Sequence, residues 1–329
     1  MTIYDIAALA GVSASTVSRV INGKPGIKAQ TRDKVQALLR KYDYCPNETA
    51  RGLVNQATKS IGILVADIRN AHHTDGAYFI ERELEKQGYC SIIFNTGADE
   101  NDKAEYIRQI SQRRVDGVVL IGSSFQSSTI AAAIAQHLQN TPVVLVNGWL
   151  DLPNVYGVLA QEEAGTADCV ALLAAKGHKK QAFVLNMHTP SNDLKLRGFT
   201  AGMQAQGALP EDIWIYETES SLQGGYDITK TILEQHPDIE AILFAVDLLA
   251  AGAVRALMDL HIAVPQQVAV MGIDNSVYGE MCYPRLSSLD TKLVEQSVAA
   301  ARMLLSALAG EKNPRKVMLF AEIVERETT

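Results

Sequence analysis

The chain has 329 residues, 47% hydrophobic and 20% charged, enough for two or three domains with buried cores. Its 30 Lys+Arg against 37 Asp+Glu give a formal charge of -7, which argues against a uniform nucleic-acid or anionic-membrane binder. No apolar stretch nears the roughly 18 residues of a transmembrane helix, and the N-terminus lacks a basic region ahead of an apolar one. Four scattered cysteines (Cys45, Cys90, Cys169, Cys282) form no disulfide framework, redox pair or zinc site, so a soluble cytoplasmic protein without a metal is expected.

The charge is unevenly spread. Residues 1–58 hold eight basic and four acidic residues, net +4, which leaves the remainder at -11. A basic head on an acidic body is the pattern of one small module that meets phosphates.

The head reads as short helices. Ile6, Ala7 and Ala10 share a face of a first helix, Ile3 to Ala10, which Gly11 can end. Ser13 can cap a second helix to about Ile21, with Val17, Val20 and Ile21 turned inward. After the turn cluster Asn22–Gly26, a third helix runs from about Ala29 to Tyr42, with Val35, Leu38 and Leu39 inward. Pro46 can open a fourth short segment, Asn47 to Val54.

A helix, a tight turn and a second helix opening with small polar residues make a helix-turn-helix, which lays its second helix in the major groove. Arg19 suits a bidentate contact to guanine, and Ala14 a contact to a thymine methyl. Ser15 suits either a base or a phosphate, whereas Ser13, Thr16, Ser18 and Asn22 suit phosphates, which set register.

From Ser60 the texture changes. The runs at 61–66, 91–95, 117–121, 142–146, 182–187, 241–245 and 268–273 read as buried parallel strands. Helical patterns separate them: Tyr78–Gln87, Lys103–Arg114, Glu163–Ala175, Lys195–Gln206, Tyr226–Glu234 and Leu248–Leu260. This alternation predicts two doubly wound parallel sheets. No glycine-rich phosphate loop, Gly-x-Ser-x-Gly elbow or His-Glu-x-x-His stands in the chain, so neither a nucleotide cofactor nor an enzyme is expected.

The string D-I-A-x-x-A-G-V-S-x-x-T-V-S-R-V-I-N at 5–22, then T-R-x-K-V and Y-x-P-N, resembles the headpiece of the lactose-repressor/purine-repressor family of bacterial regulators. The resemblance continues through KSIGILVADI (59–68), RRVDGVVLIGSS (113–124), LRGF (196–199), VAVMGIDN (268–275) and EIVERE (322–327). It implies a headpiece at 1–45, a hinge helix at 46–59 and a periplasmic-binding-protein-like core at 60–329. Within that core it implies an N-subdomain of about 60–159 and 291–319, and a C-subdomain of about 160–290 and 320–329. The hinge would fold on operator DNA and insert Leu53, beside Ala50, into the minor groove.

The resemblance also implies an effector between the two subdomains, held by Asn70, His72, His73, Ser123, Asn147, Trp149, Asp193, Lys195, Asp247 and Asp274. Several of these depart from the family's sugar pattern. Asp193 falls where an arginine is common, although Lys195 keeps a cation nearby. Imidazoles replace phenyl rings at His72 and His73, Asn147 replaces an aspartate, and Ala245-Val246-Asp247 lacks an amide. A hydroxylated or amine-bearing metabolite fits this set, and a sugar acid on Lys195 stays open. The expected protein is an effector-controlled repressor of a carbon-source operon, a homodimer on a pseudo-palindromic operator. The alternative is a solute-binding protein of a transport system with the same core.

Overall fold

The computed structural model describes residues 1–44, 58–312 and 314–329, which form two compact units, Met1–Thr58 and Lys59–Thr329. In the first unit, α1 (Ile3–Ala10), α2 (Ala14–Ile21) and α3 (Ala29–Lys41) close on Ile6, Ala7, Ala10, Val17, Val20 and Val35. Thr2 and Asp5 cap α1 reciprocally: Asp5 N donates to Thr2 Oγ1 at 3.3 Å, and Thr2 N to Asp5 Oδ2 at 2.7 Å. Gly11 takes φ 69°, the left-handed conformation that ends α1 and turns the chain toward α2. Ser13 then caps α2, its Oγ accepting from Thr16 N at 3.2 Å. The expected fourth segment, with Ala50 and Leu53, lies outside the described residues.

The second unit holds two six-stranded sheets. The first comprises β1 (Ser60–Val65), β2 (Cys90–Asn95), β3 (Gly117–Ile121), β4 (Val143–Val146), β5 (Val155–Ala160) and β11 (Lys316–Leu319). Their order is β11-β5-β4-β3-β1-β2, all parallel. The second comprises β6 (Gln181–Leu185), β7 (Trp214–Glu217), β8 (Ala241–Phe244), β9 (Ala269–Ile273), β10 (Ser287–Asp290) and β12 (Glu322–Val324). It runs β12-β10-β9-β8-β6-β7, parallel except for the β10–β12 pair.

Helices cover both faces of each sheet, which is why most central strands read as unbroken apolar runs. On the first sheet, α4 (Ala71–Glu85) and α12 (Leu293–Leu308) cover one face, α5 (Glu100–Gln112) and α6 (Ser128–His137) the other. On the second, α7 (Glu162–Ala175) and α8 (Pro190–Ala205) oppose α9 (Leu222–Gln235) and α10 (Asp247–Asp259). A short α11 (Val277–Met281) follows β9. The chain passes between sheets three times: after β5, between β10 and α12, and between β11 and β12.

Two features differ from expectation. Strands β5, β7, β10, β11 and β12 stand outside the seven runs singled out in the sequence; four of the five have four residues or fewer, and β5 is interrupted by Gly157. Helices α4 and α8 start earlier than their periodicity suggests, at Ala71 and Pro190, because their first turns carry polar residues. In both sheets the strand order reverses next to the first strand, between β1 and β3 and between β6 and β8. Ligands of open α/β sheets sit outside the carboxyl ends of the strands at such points.

Candidate functional site

The head presents the outer face of α2. Ser15 and Arg19 are exposed one turn apart, opposite the buried Val17 and Val20. Ser13 Oγ lies 2.8 Å from Ser15 Oγ and 2.9 Å from Thr16 Oγ1, which gathers three hydroxyls at the helix N-terminus. That end of a helix attracts phosphate through its free N–H groups and dipole. Arg19 Nη2 donates to Pro25 O at 2.8 Å, so the guanidinium is steadied against the following turn. Asn22 Nδ2 donates to Ser18 Oγ at 3.3 Å, and Ala14 is half-buried at the start of the helix.

The core gathers a second site at the carboxyl ends of β1, β3 and β4 in one sheet and β6, β8 and β9 in the other. Lys195, in α8 and only 3% exposed, donates to Ala245 O at 3.0 Å. Its Nζ stands 3.7 Å from Glu162 Oε1 and 4.0 Å from Asp274 Oδ1. Glu162 opens α7 and is 1% exposed. Its Oε1 accepts from Ser191 Oγ at 2.7 Å and from Asn147 Nδ2 at 3.1 Å. Asn147 also donates to Ser191 Oγ at 3.3 Å, and Ser123 Oγ accepts from Ser191 N at 3.2 Å. His72 Nδ1 completes the group, 3.9 Å from Asp274 Oδ1, which is too long for a direct hydrogen bond.

Two atoms of this group, Glu162 Oε2 and His72 Nδ1, are enclosed and meet no hydrogen-bond partner among the described residues. Buried polar atoms in native proteins are nearly always paired, with protein or with water, so these two are the group's open hydrogen-bonding positions. Burial, and then the Lys195 charge, lowers the His72 imidazole to about 4. Burial, and then His72, lowers His73 to about 4 as well, so both rings are neutral near pH 7. His73 Nδ1 lies 2.9 Å from Asp67 O and 3.3 Å from Asp67 N, closing the loop between β1 and α4.

Asp247, the first residue of α10, is 1% exposed. Its Oδ1 accepts from Ser288 Oγ at 2.6 Å, and its Oδ2 from Ser276 N at 2.6 Å and Ser276 Oγ at 2.9 Å. Burial, then the neighbouring Asp274 charge, lifts its carboxyl to about 7. Burial also raises Asp274, against the opposing pull of Lys195. Gly272 makes this fit: a Cβ there would stand 2.1 Å from Asp247 Oδ1. Backbone strain collects here too, since Asp274 takes φ 110° and Asn147 and Asn275 take φ 56° and 49°.

Of the residues expected to hold an effector, His72, Ser123, Asn147, Lys195 and Asp274 come together, with His73 and Asp247 beside them. Three do not join the group. Asn70 is exposed and caps α4, its Oδ1 accepting from His72 N at 2.9 Å. Asp193 has a side chain 47% exposed and paired with His188 Nδ1 at 3.1 Å. The buried cation is therefore Lys195, and Asp193 faces outward from the same helix. Trp149, just past β4, packs over Gly157 of β5 with Lys316 Nζ 5.4 Å from its ring, and its backbone N–H donates to Gln126 Oε1 at 3.0 Å. Glu162, Ser191, Ser276 and Ser288 were not singled out in the sequence. Position was the available signal for Glu162 and Ser191, each at the start of a helix that follows a buried strand. Among the described residues, no cluster suits a metal ion and no helix is long and apolar enough to cross a membrane.

Two family descriptions match the chain: bacterial regulatory proteins of the lacI family over residues 2–47, and a periplasmic binding protein-like domain over residues 170–329. An HTH-type transcriptional regulator of Lachnoclostridium phytofermentans is 31% identical, over 100% of this chain and 99% of that one. Catabolite control protein A of Priestia megaterium is 28% identical, again over 100% and 99%. A crystal structure of the lac repressor dimer bound to operator and the anti-inducer ONPF aligns with a TM-score of 0.91 and 24% identity, over 100% of this chain and 98% of that one.

Proposed function

The chain belongs to the lacI family of bacterial regulatory proteins, and from that premise we propose that it represses a carbon-source operon under the control of a small polar metabolite. Two heads of a homodimer would read the half-sites of a pseudo-palindromic operator. In each head, Ala14, Ser15 and Arg19 address bases, while Ser13, Thr16, Ser18 and Asn22 hold phosphates. Leu53 and Ala50, outside the described residues, keep the minor-groove role that the family resemblance implies. The metabolite enters between the core halves, which we divide near residues 160, 291 and 320. No enzymatic step is assigned to the site, and the protein works in the cytoplasm.

The convergence of buried polar groups from both sheets, with Glu162 Oε2 and His72 Nδ1 left unpaired, carries this proposal. The DNA-reading head favours a regulator over a transport protein with the same core. Fluorescence anisotropy with a palindromic fragment from upstream of its own operon tests the proposal. Binding at physiological salt no tighter than to random DNA refutes it, as does an operator affinity that no polar metabolite alters.

A further inference from the structure

The cleft group holds more acid than base. Glu162 and Asp274 stand around one ammonium, Lys195, at 3.7 and 4.0 Å, and the two imidazoles beside them are largely buried and neutral near pH 7. Lys195 already donates to Ala245 O, and its charge balances one carboxylate at most. Glu162 is the sharper observation. One carboxylate oxygen is fully engaged by Ser191 and Asn147, while the other is enclosed at 1% residue exposure with no donor. An ionised carboxylate only accepts hydrogen bonds, so what pairs with Oε2 must be a donor, and a charged donor pairs best. The same end of the second sheet repeats the bias, with His188 held between Asp193 at 3.1 Å and Glu217 at 2.9 Å.

We infer that the effector carries a protonated amine on an otherwise neutral, hydroxylated scaffold, with the ammonium placed against Glu162 Oε2. The inference rests on the cleft being the sensing site and assigns the charge of what it senses. Hydroxyl groups, donors and acceptors at once, suit His72 Nδ1, Asp274 Oδ1 and the remaining N–H positions of Lys195. A ligand carboxylate would bring a further negative charge toward Glu162 and Asp274 in a poorly solvated place. A sugar acid, left open by the sequence, is thereby disfavoured.

The test uses the full chain and matched triplets in the gluco, galacto and manno series: the 2-amino-2-deoxyhexose, the parent hexose and the uronate. Thermal shift identifies binders, and titration calorimetry ranks them. At least one amino sugar should bind about tenfold or more tighter than its parent, with no binding of the uronate. Raising the pH through the sugar amine's own titration should weaken that binding in the wild-type protein. Glu162→Gln should bring amine and parent within about twofold, a change that simple unfolding would not give because the parent would be lost too.

Binding of a parent sugar or uronate as tightly as its amine, an amine affinity unmoved by its deprotonation, or failure of every amino sugar to bind overturns the inference. The underlying proposal fails separately. It falls if a ligand that alters operator affinity binds Lys195→Met and Asp274→Asn as it binds the wild type.

Discussion

The backbone N–H of Ser191 donates to Ser123 Oγ at 3.2 Å, joining the first turn of α8 in one half of the core to the 3-10 turn after β3 in the other. Asn147 crosses the same boundary to Glu162 and Ser191. These links are polar, each worth about 1 kcal/mol net, so the halves are held by contacts that a ligand can outcompete. A metabolite needs only a few kcal/mol of preference for one arrangement to shift the population.

Asn147→Asp replaces the amide donor with an acceptor 3.1 Å from Glu162 Oε1. Urea unfolding at pH 8 should show a loss of about 1–3 kcal/mol, from repulsion and the lost bonds. A variant as stable as the wild type would mean that the two side chains do not face each other.

Gly272→Ala places a methyl group 2.1 Å from Asp247 Oδ1. Asp247 must then leave Ser288 or β9 must shift, and such overpacking typically costs about 1–3 kcal/mol. Chemical denaturation measures this, and a variant as stable as the wild type would show that β9 and α10 have room to spare.

The cleft imposes two opposed pH dependences on stability. Asp247, lifted from 3.8 to about 7, holds its proton more tightly folded than unfolded. Its contribution is therefore complete below about pH 4 and is lost as the pH climbs to about 7. His72 and His73, lowered from 6.5 to about 4, contribute fully above about pH 6.5 and lose that contribution as the pH falls toward 4. Asp247→Asn removes only the first slope. Its unfolding free energy relative to wild type should rise steadily between pH 4 and 7, whatever constant offset the lost hydrogen bonds add. No pH trend in that difference would place Asp247 at an ordinary carboxylate value.

Arg19→Ala should weaken operator binding by about 1–3 kcal/mol and relax preference at one position per half-site, with little change on random DNA. Binding to a panel of single-base operator variants measures both effects. An equal loss on operator and random sequences would reassign Arg19 to phosphate.

The head was legible almost to the residue, because Val17 and Val20 keep helical spacing and Ser13 and Gly11 punctuate the turn. The central strands were legible as apolar runs for the same reason they are buried on both faces. The site was harder. Residues of the buried polar group in the first two turns of α4 and α8, such as His72, Ser191 and Lys195, are polar where a helix normally shows its apolar stripe. Periodicity therefore placed both helix starts too late. Glu162 and Glu163 show why adjacency in sequence says little. They differ by about 100° around α7, and so one is buried against Ser191 while the other pairs with Arg197 at 3.1 Å on the surface. Likewise the expected reversal of charge at Asp193 did not reach the interior, since the helix turns that residue out and Lys195 in.

The order in which the sheets are completed has a consequence for how the protein is made. The head's core, from Ile6 to Val35, is present once its first three helices have been translated. The first sheet of the core waits far longer. Its Ile61, Ile63, Val119 and Val144 are covered by Ala300, Ala301 and Leu304 of α12, and β11 closes its edge only at Lys316–Leu319. Chains emerge from the ribosome N-terminus first and fold by units. A nascent molecule thus carries a folded head well before the first sheet of its core can close.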